Sequence, residues 1–341
     1  MKRVVVIILM YRRADHAIEC VSSVLRSDHP EFRILLLDNN SPDGAYDHVR
    51  SWAAGTTAPP KIHGGPLPGH SIRTGPLDCQ ELRASDPLPA YAELLKLTLV
   101  QTGANLGYAG GNNVALRWLE RRDDWDYAWI LNPDTVVEPR TMSALLDRIE
   151  REPGLGPVGA RVSFYDRPDE LQQWGGGVYR RLRGAGRNLG LGHLASEPID
   201  PGRIERAMDY VSGSSMFFSR AFLAHAGPMD ERYFLYFEEV DWCRKRGTFR
   251  LGYAHDARVY HRHGGSIGSS TKHAEISPLS LRWSYRNRFV FTRRYLPWAL
   301  PTVYLGTFFD MARMAAKGSW KNAWLIFKVV HGLEPVTPPS A

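Results

Sequence analysis

The run VVVIILM, Val4 to Met10, constrains the fold more than any other stretch of this chain. It is apolar without interruption and mostly β-branched, which favours extended backbone. A strand with no polar face has to be covered on both sides, as in a parallel sheet between helices. Ala14 to Leu25 then carries apolar residues at helical spacing (Ala17, Ile18, Val21, Val24, Leu25), and Phe32–Leu37 is a second apolar run. That run ends in Asp38, Asn39, Asn40, Ser41, Pro42, Asp43 and Gly44. Strand, helix, strand and polar loop predict an α/β fold with a largely parallel sheet. The first run is short for a signal core and no small-residue cleavage site follows, so a buried strand is the better reading. No apolar stretch is long enough to span a bilayer.

Further strands are expected at Leu94–Val100, Tyr127–Leu131, Val158–Phe164, Met208–Ser219 and Gly252–Tyr260. Helices are expected at Asn112–Arg121, at Thr141–Arg151 with Thr141 as cap, and at Tyr236–Arg246. Residues 54–90 are rich in Pro and Gly and read as a long surface insertion. With 341 residues, 43% of them hydrophobic and 23% charged, the chain can build one large or two modest domains. The expected division is 1–280 for the α/β domain and 281–341 for a helical C-terminal extension.

The formal net charge is +7. Between Arg282 and Lys328 stand nine Lys or Arg against one acid, Asp310, with aromatic residues interleaved. That mixture suits helices lying on an anionic membrane surface; solvated lysines on a helical cap are the other reading. No recognised nucleic-acid module is present, and no nucleic-acid partner is expected. Cys20, Cys79 and Cys243 have neither zinc nor redox spacing. They suit a reduced compartment, so the expected location is cytoplasmic, peripheral on the inner face of the cell membrane.

Several polar clusters follow apolar strands, where open α/β sheets place their ligand crevice. Asp38 ends one strand. Asn132, Pro133 and Asp134 end another, offering oxygen ligands that suit Mg2+ or Mn2+ together with substrate phosphates. Either Asp could equally serve a turn. Gly103 to Asn113 is a Gly-rich loop before a helix, where backbone amides can approach a diphosphate. A tight connection needing positive φ would look the same. The segment FEEVDW places Glu238, Glu239 and Asp241 amid Tyr233, Phe234, Tyr236, Phe237 and Trp242. On a helix, Glu238, Asp241 and Trp242 share one face and Glu239 points elsewhere. His261 and His263 end the strand after this cluster.

The pieces YRR, LLLDNNSPDG, NLGYAGGNN, WILNPDT, VSGSSMFFSR, FLYFEEVDWCRKR and ARVYHRHGGS occur in that order over about residues 4–295. The ordered set resembles the inverting family 2 glycosyltransferases of GT-A fold, in their rhamnosyltransferase-like and galactofuranosyltransferase-like branch. The resemblance implies a Rossmann-like nucleotide-diphospho-sugar transferase: a mixed, mostly parallel sheet flanked by helices. It implies donor binding by Tyr11, Asp38, Asn40, Asn105, Gly107, Asn112, Asn132 and Asp134, with Asp38 reading the base. Asp134 and His261 resemble the metal ligands, and His263 is a substitute for the latter. Many relatives carry Asp where Asn132 stands. Glu239 aligns with the general base, usually Asp in relatives, with Asp241 as neighbouring alternative. Trp174, Glu238 and Trp242 are expected to bind the acceptor.

The implied reaction moves a sugar, rhamnose by resemblance, from a dTDP or UDP donor to a hydroxyl of a glycan or lipid-linked acceptor in cell-surface polysaccharide synthesis. Glu239, kept ionised by its helix N-terminus, would take the hydroxyl proton, with Mg2+ or Mn2+ on the leaving diphosphate. A nucleotidyltransferase would need a basic Gly-rich loop near the N-terminus, which is absent. A non-catalytic nucleotide-sugar-binding protein on the same scaffold is the alternative from another class.

Overall fold

The computed structural model describes residues 1–61, 65–67, 69, 71–262 and 277–337. The apolar opening run is β1 (Val4–Met10), followed by α1 (Ala14–Val24), β2 (Phe32–Asp38) and α2 (Ala45–Ala53). Next come β3 (Cys79–Arg83), β4 (Leu97–Gln101), α3 (Gly107–Glu120), β5 (Tyr127–Leu131), β6 (Thr135–Val137), α4 (Thr141–Arg151) and β7 (Leu155–Phe164). The middle of the chain holds β8 (Leu171–Trp174), β9 (Gly176–Arg180), β10 (Ala185–Asn188), α5 (Pro201–Ala207), β11 (Tyr210–Val211) and β12 (Ser215–Ser219). The remainder is α6 (Arg220–Ala226), α7 (Glu238–Arg244), β13 (Arg250–His261), α8 (Pro278–Tyr295), α9 (Leu300–Ala316) and α10 (Trp320–Val330).

The main sheet runs β3-β4-β2-β1-β5-β12-β7-β13-β6, with β8 paired to β7; β10-β9-β11 form a small second sheet. β1 lies at the centre, parallel to both β2 and β5. Its alternate residues serve two different cores: Val5, Ile7 and Leu9 face one, and Val4, Val6, Ile8 and Met10 face the other. Both faces are covered, as an apolar run of this length requires. Each such side chain contributes about 1.5–3 kcal/mol of burial before chain entropy is counted.

Four expectations are corrected. Helix α3 starts at Gly107, so most of the Gly-rich segment is its first two turns rather than a loop. The 54–90 segment contains β3, which extends the sheet beside β4. The 280/281 division falls inside α8, whose Phe289 and Phe291 belong to the same core as β1. Thr141 does not cap α4; its hydroxyl donates to the Arg258 carbonyl, 2.7 Å away, and joins the helix to β13.

Candidate active site

Strand direction decides which polar residues meet. β1, β2, β4 and β5 are parallel, so Tyr11, Asp38, Thr102 and Asn132 leave the sheet at one edge. β13 ends at this edge too, and β6 starts there antiparallel to it, with Thr135 opposite His261. That register puts Asp134, one residue before β6, beside His261. The Asp134 Oδ1 to His261 Nε2 distance is 3.2 Å.

The histidine is oriented from behind by Gln172 on β8, which sequence reasoning missed. Gln172 Nε2 donates to the His261 carbonyl at 2.6 Å, so its Oε1, 2.9 Å from Nδ1, must accept the Nδ1 proton. The ring thereby presents its Nε2 to the Asp134 carboxylate, a pairing that a shared proton or a shared cation satisfies. This donor set fits a divalent ion that takes its other ligands from substrate phosphates, with an outer amide fixing the imidazole. Among the described residues no group of three or more His, Cys, Asp or Glu forms a complete protein cage. Burial works to raise the Asp134 carboxyl, but His261 and then His16 outweigh it and hold it below the usual range. Asn132 reaches the same edge: its Nδ2 lies 3.4 Å from His261 Nε2. His263 lies outside the described residues.

Asp38 is buried at the end of β2, where desolvation raises its carboxyl against the Ser41 contacts that lower it. Asn40 follows in the left-handed region at φ 59. Asn39, not singled out from the sequence, is the brace of this corner. Its amide donates to Asn105 Oδ1 (3.0 Å) and the Gly107 carbonyl (3.2 Å), and its Oδ1 accepts from Leu106 N. Asn105 is thereby committed within its loop, accepting also from Gly107 N. Gly107 is required at φ +71 because a Cβ would overlap the Phe234 carbonyl and ring. The next residue, Tyr108, donates its backbone N–H to that Phe234 carbonyl at 2.6 Å. Asn112 is fully buried; its Nδ2 donates to the Tyr108 carbonyl while its Oδ1 has no partner.

Tyr108 connects the two halves of the site. Its hydroxyl donates to the Gly213 carbonyl at 2.5 Å. Burial raises its phenol well above the ordinary value, and the carboxylates of Glu238, Glu239 and Asp134 add to the rise. Those three acids thus lie within electrostatic reach of one ring. Glu238 and Glu239 each keep one buried carboxylate oxygen without a partner. Burial raises both carboxyls, with Glu239 raising Glu238 further. Backbone N–H groups, including that of Val240, only partly offset this at Glu239. At Glu239 burial outweighs the backbone N–H groups of the helix start, and the carboxyl is raised.

Asp241 and Trp242 belong to the interior instead. Asp241 is fully buried and accepts from Tyr295 (2.6 Å), Tyr233 (3.1 Å) and Arg294 (3.2 Å). These three donors tie it into the interior. Trp242 packs edge-on against Phe218 and Phe222 and donates Nε1–H to the Gly227 carbonyl, so it does not line a crevice. A seven-residue helix turned against the core hides the face carrying both. Trp174, half-buried on β8, lies against His193 with ring centroids 4.8 Å apart and planes tilted by 44°.

A family model described as glycosyl transferase family 2 matches residues 5–65. The N-acetylglucosaminyl-diphospho-decaprenol L-rhamnosyltransferase of Mycobacterium tuberculosis (strain ATCC 25618 / H37Rv) is 29% identical over 198 residues, 53% of this chain and 64% of that one. The chain thus spans just under two thirds of the length of this curated relative. A low-salt glycan biosynthesis hexosyltransferase of Haloferax volcanii is 26% identical over 160 residues, 45% of this chain and 48% of that one. Among solved structures, the mannosyltransferase PcManGT of Pyrobaculum calidifontis, in complex with GDP-Man and Mn2+, superposes with TM-score 0.51 at 19% identity, covering 96% of this chain and 79% of that one. With its motifs in order and these matches, the chain is similar to the family 2 glycosyltransferases and has the GT-A fold, a mixed, mostly parallel sheet flanked by helices.

Proposed function

We propose that this protein transfers a sugar from a nucleotide-diphosphate donor to a hydroxyl of a lipid-linked glycan, with inversion at the anomeric carbon. The observation that carries the reading is that Glu238 and Glu239, each with an unpartnered buried oxygen, act together with Asp134 on the Tyr108 hydroxyl through their charge. Buried acceptors without donors suit an incoming hydroxyl, which supplies the missing proton. Glu239 removes that proton as the oxygen attacks the anomeric carbon. Glu238 accepts a second acceptor hydroxyl, and Trp174 offers a ring face to the acceptor sugar. Tyr11, Asp38, Asn40, Asn132 and the corner built by Asn105, Gly107 and Asn112 receive the donor.

Asp134 and His261 would hold a divalent ion, Mg2+ or Mn2+. Such an ion, when bound, offsets the charge growing on the leaving diphosphate. The orienting bond from Gln172 keeps Nε2 turned toward Asp134. The names of the mycobacterial relatives favour rhamnose as the sugar and an N-acetylglucosaminyl-diphospho-polyprenol as the acceptor. That acceptor places the work at a membrane surface, in the synthesis of a cell-surface glycan, with dTDP or UDP as donor nucleotide.

The test is product formation from dTDP-rhamnose and UDP-sugars with a short-chain N-acetylglucosaminyl-diphospho-lipid, with Mn2+ and with EDTA. Transfer of one sugar with inverted configuration is expected. Donor binding without any transfer or hydrolysis would leave the non-catalytic alternative standing.

A further inference from the structure

α9 buries Val303, Gly306, Thr307 and Met314, yet Tyr304, Leu305, Phe308 and Phe309 face solvent at successive turns. α10 adds Trp320 and Trp324, 69% and 58% exposed. Eight of the thirteen exposed large hydrophobic side chains among the described residues lie between Trp298 and Leu333. Ring contacts run from Tyr304 through His331 and Phe327 to Trp324, joining the exposed apolar side chains of the two helices, and an apolar face of this kind marks an interaction surface.

The charge around it selects the partner. The two acids of this region are both spoken for: Asp310 pairs with Arg288 (3.0 Å) and Arg183 (3.3 Å), and Glu334 with Arg282 (2.6 Å) and Lys328. Arg313, Lys317 and Lys321 are exposed at the rim of the face and have no ion-pair partner among the described residues. A rim that is only cationic fits a negatively charged partner. A second copy of the same face would set Arg313, Lys317 and Lys321 against themselves. Tryptophan and tyrosine beside unpaired lysines form the mixture that settles at a headgroup boundary. No helix among the described residues is long and apolar enough to cross a membrane, so the face can lie on a bilayer but not through one.

We propose that the outer face of α9 and α10 docks on an anionic lipid bilayer, with Phe308, Phe309, Trp320 and Trp324 entering the boundary layer and Arg313, Lys317 and Lys321 on lipid phosphates. This deepens the proposed function, resting on it for its purpose, since it brings the chain to the layer that holds a lipid-linked acceptor. The face is connected to the catalytic turn by short steps: Arg288 on α8 grips Asp310 on α9, and the adjacent Asn287 grips the carbonyls of Tyr233, Leu235 and Tyr236.

The test is flotation of the full chain with phosphatidylcholine vesicles and with vesicles also containing phosphatidylglycerol. Binding to the anionic vesicles is expected to be at least about tenfold stronger and to fall with salt. Lys317→Glu with Lys321→Glu, and separately Phe308→Ser with Phe309→Ser, should each weaken it by about tenfold or more, with thermal melting unchanged because the sites are exposed. Equal binding to both vesicle types, or by all variants, overturns the proposal. So does a concentration-dependent dimer that the Phe308→Ser and Phe309→Ser pair dissolves in a chain that ignores vesicles. Transfer to a water-soluble acceptor analogue is read on the same proteins. Vesicle binding that follows the pattern above while no protein shows transfer supports docking and counts against the transfer reading alone.

Discussion

Asn287 on α8 holds its side-chain Nδ2 2.8 Å from the Leu235 carbonyl, in the turn that leads into Glu238. The same nitrogen lies 2.7 Å from the Tyr233 carbonyl and 3.0 Å from that of Tyr236. This turn needs holding. Phe234, Tyr236 and Phe237 all sit at positive φ, at 52, 69 and 75, a conformation that costs on the order of 1–3 kcal/mol per residue. Asn287→Ala removes the two amide protons shared among these carbonyls and should cost about 2–4 kcal/mol in urea unfolding. Turnover should fall further than donor affinity, because Glu238 and Glu239 lose their setting while the far side of the crevice does not. A variant that keeps full turnover would make α8 a passive cap.

The tie between Gln172 and His261 predicts a cation phenotype. Gln172→Leu removes the group that fixes the imidazole, and Mn2+ affinity measured by calorimetry with nucleotide diphosphate present should drop about 10–100-fold. Asp134→Ala should abolish cation-dependent donor binding. Wild-type transfer that EDTA leaves untouched would refute the ion altogether.

Glu239→Gln should lower turnover by about 10^2–10^4-fold with donor binding kept. In the wild type, kcat/KM should rise with pH through a midpoint above that of an ordinary glutamate, since burial raises this carboxyl. A midpoint at the ordinary value would mean that the base sits in water.

The same raised carboxyls set the pH dependence of stability. Their folded-state values lie above the unfolded value of 4.5. Their stabilising share is therefore complete below about pH 4.5 and is lost as pH climbs through the raised folded value. Glu238→Gln removes one ionisation, so at pH 7 the variant should melt higher than wild type and show a shallower decline with pH. An unchanged profile would show that Glu238 is not desolvated.

Trp242→Ala should act through the core. With the ring fully buried against Phe218 and Phe222, the loss should be about 3–5 kcal/mol. A folded Trp242→Ala protein with only a raised acceptor KM would return this residue to the acceptor site.

Local chemistry made much of this protein legible. Seven consecutive apolar residues in β1 could only be a strand covered twice, and its alternating residues do divide between two cores. Acids directly after strands reached one edge because parallel strands all end on the same side. Expectations failed where a side chain's direction depended on a distant element. The four residues Glu238, Glu239, Asp241 and Trp242 look alike as polar or aromatic neighbours in the sequence. The packing of α7 against Phe218 and Phe222 and the reach of Tyr295 and Arg294 from α8 tied Trp242 and Asp241 into the interior.

Gln172 and Asn287 carried no signal, and Asn39 showed only as part of a polar run, because each is an amide whose partner lies 89, 52 or 66 residues away along the chain. The sequence by itself determined the strands, their common edge and the acids placed on it, because period and composition are local properties. Which of those acids face a crevice, which amides brace them and which helix face stays uncovered were decided only by tertiary packing, because hydrogen-bond partners and burial are set by contacts across the chain.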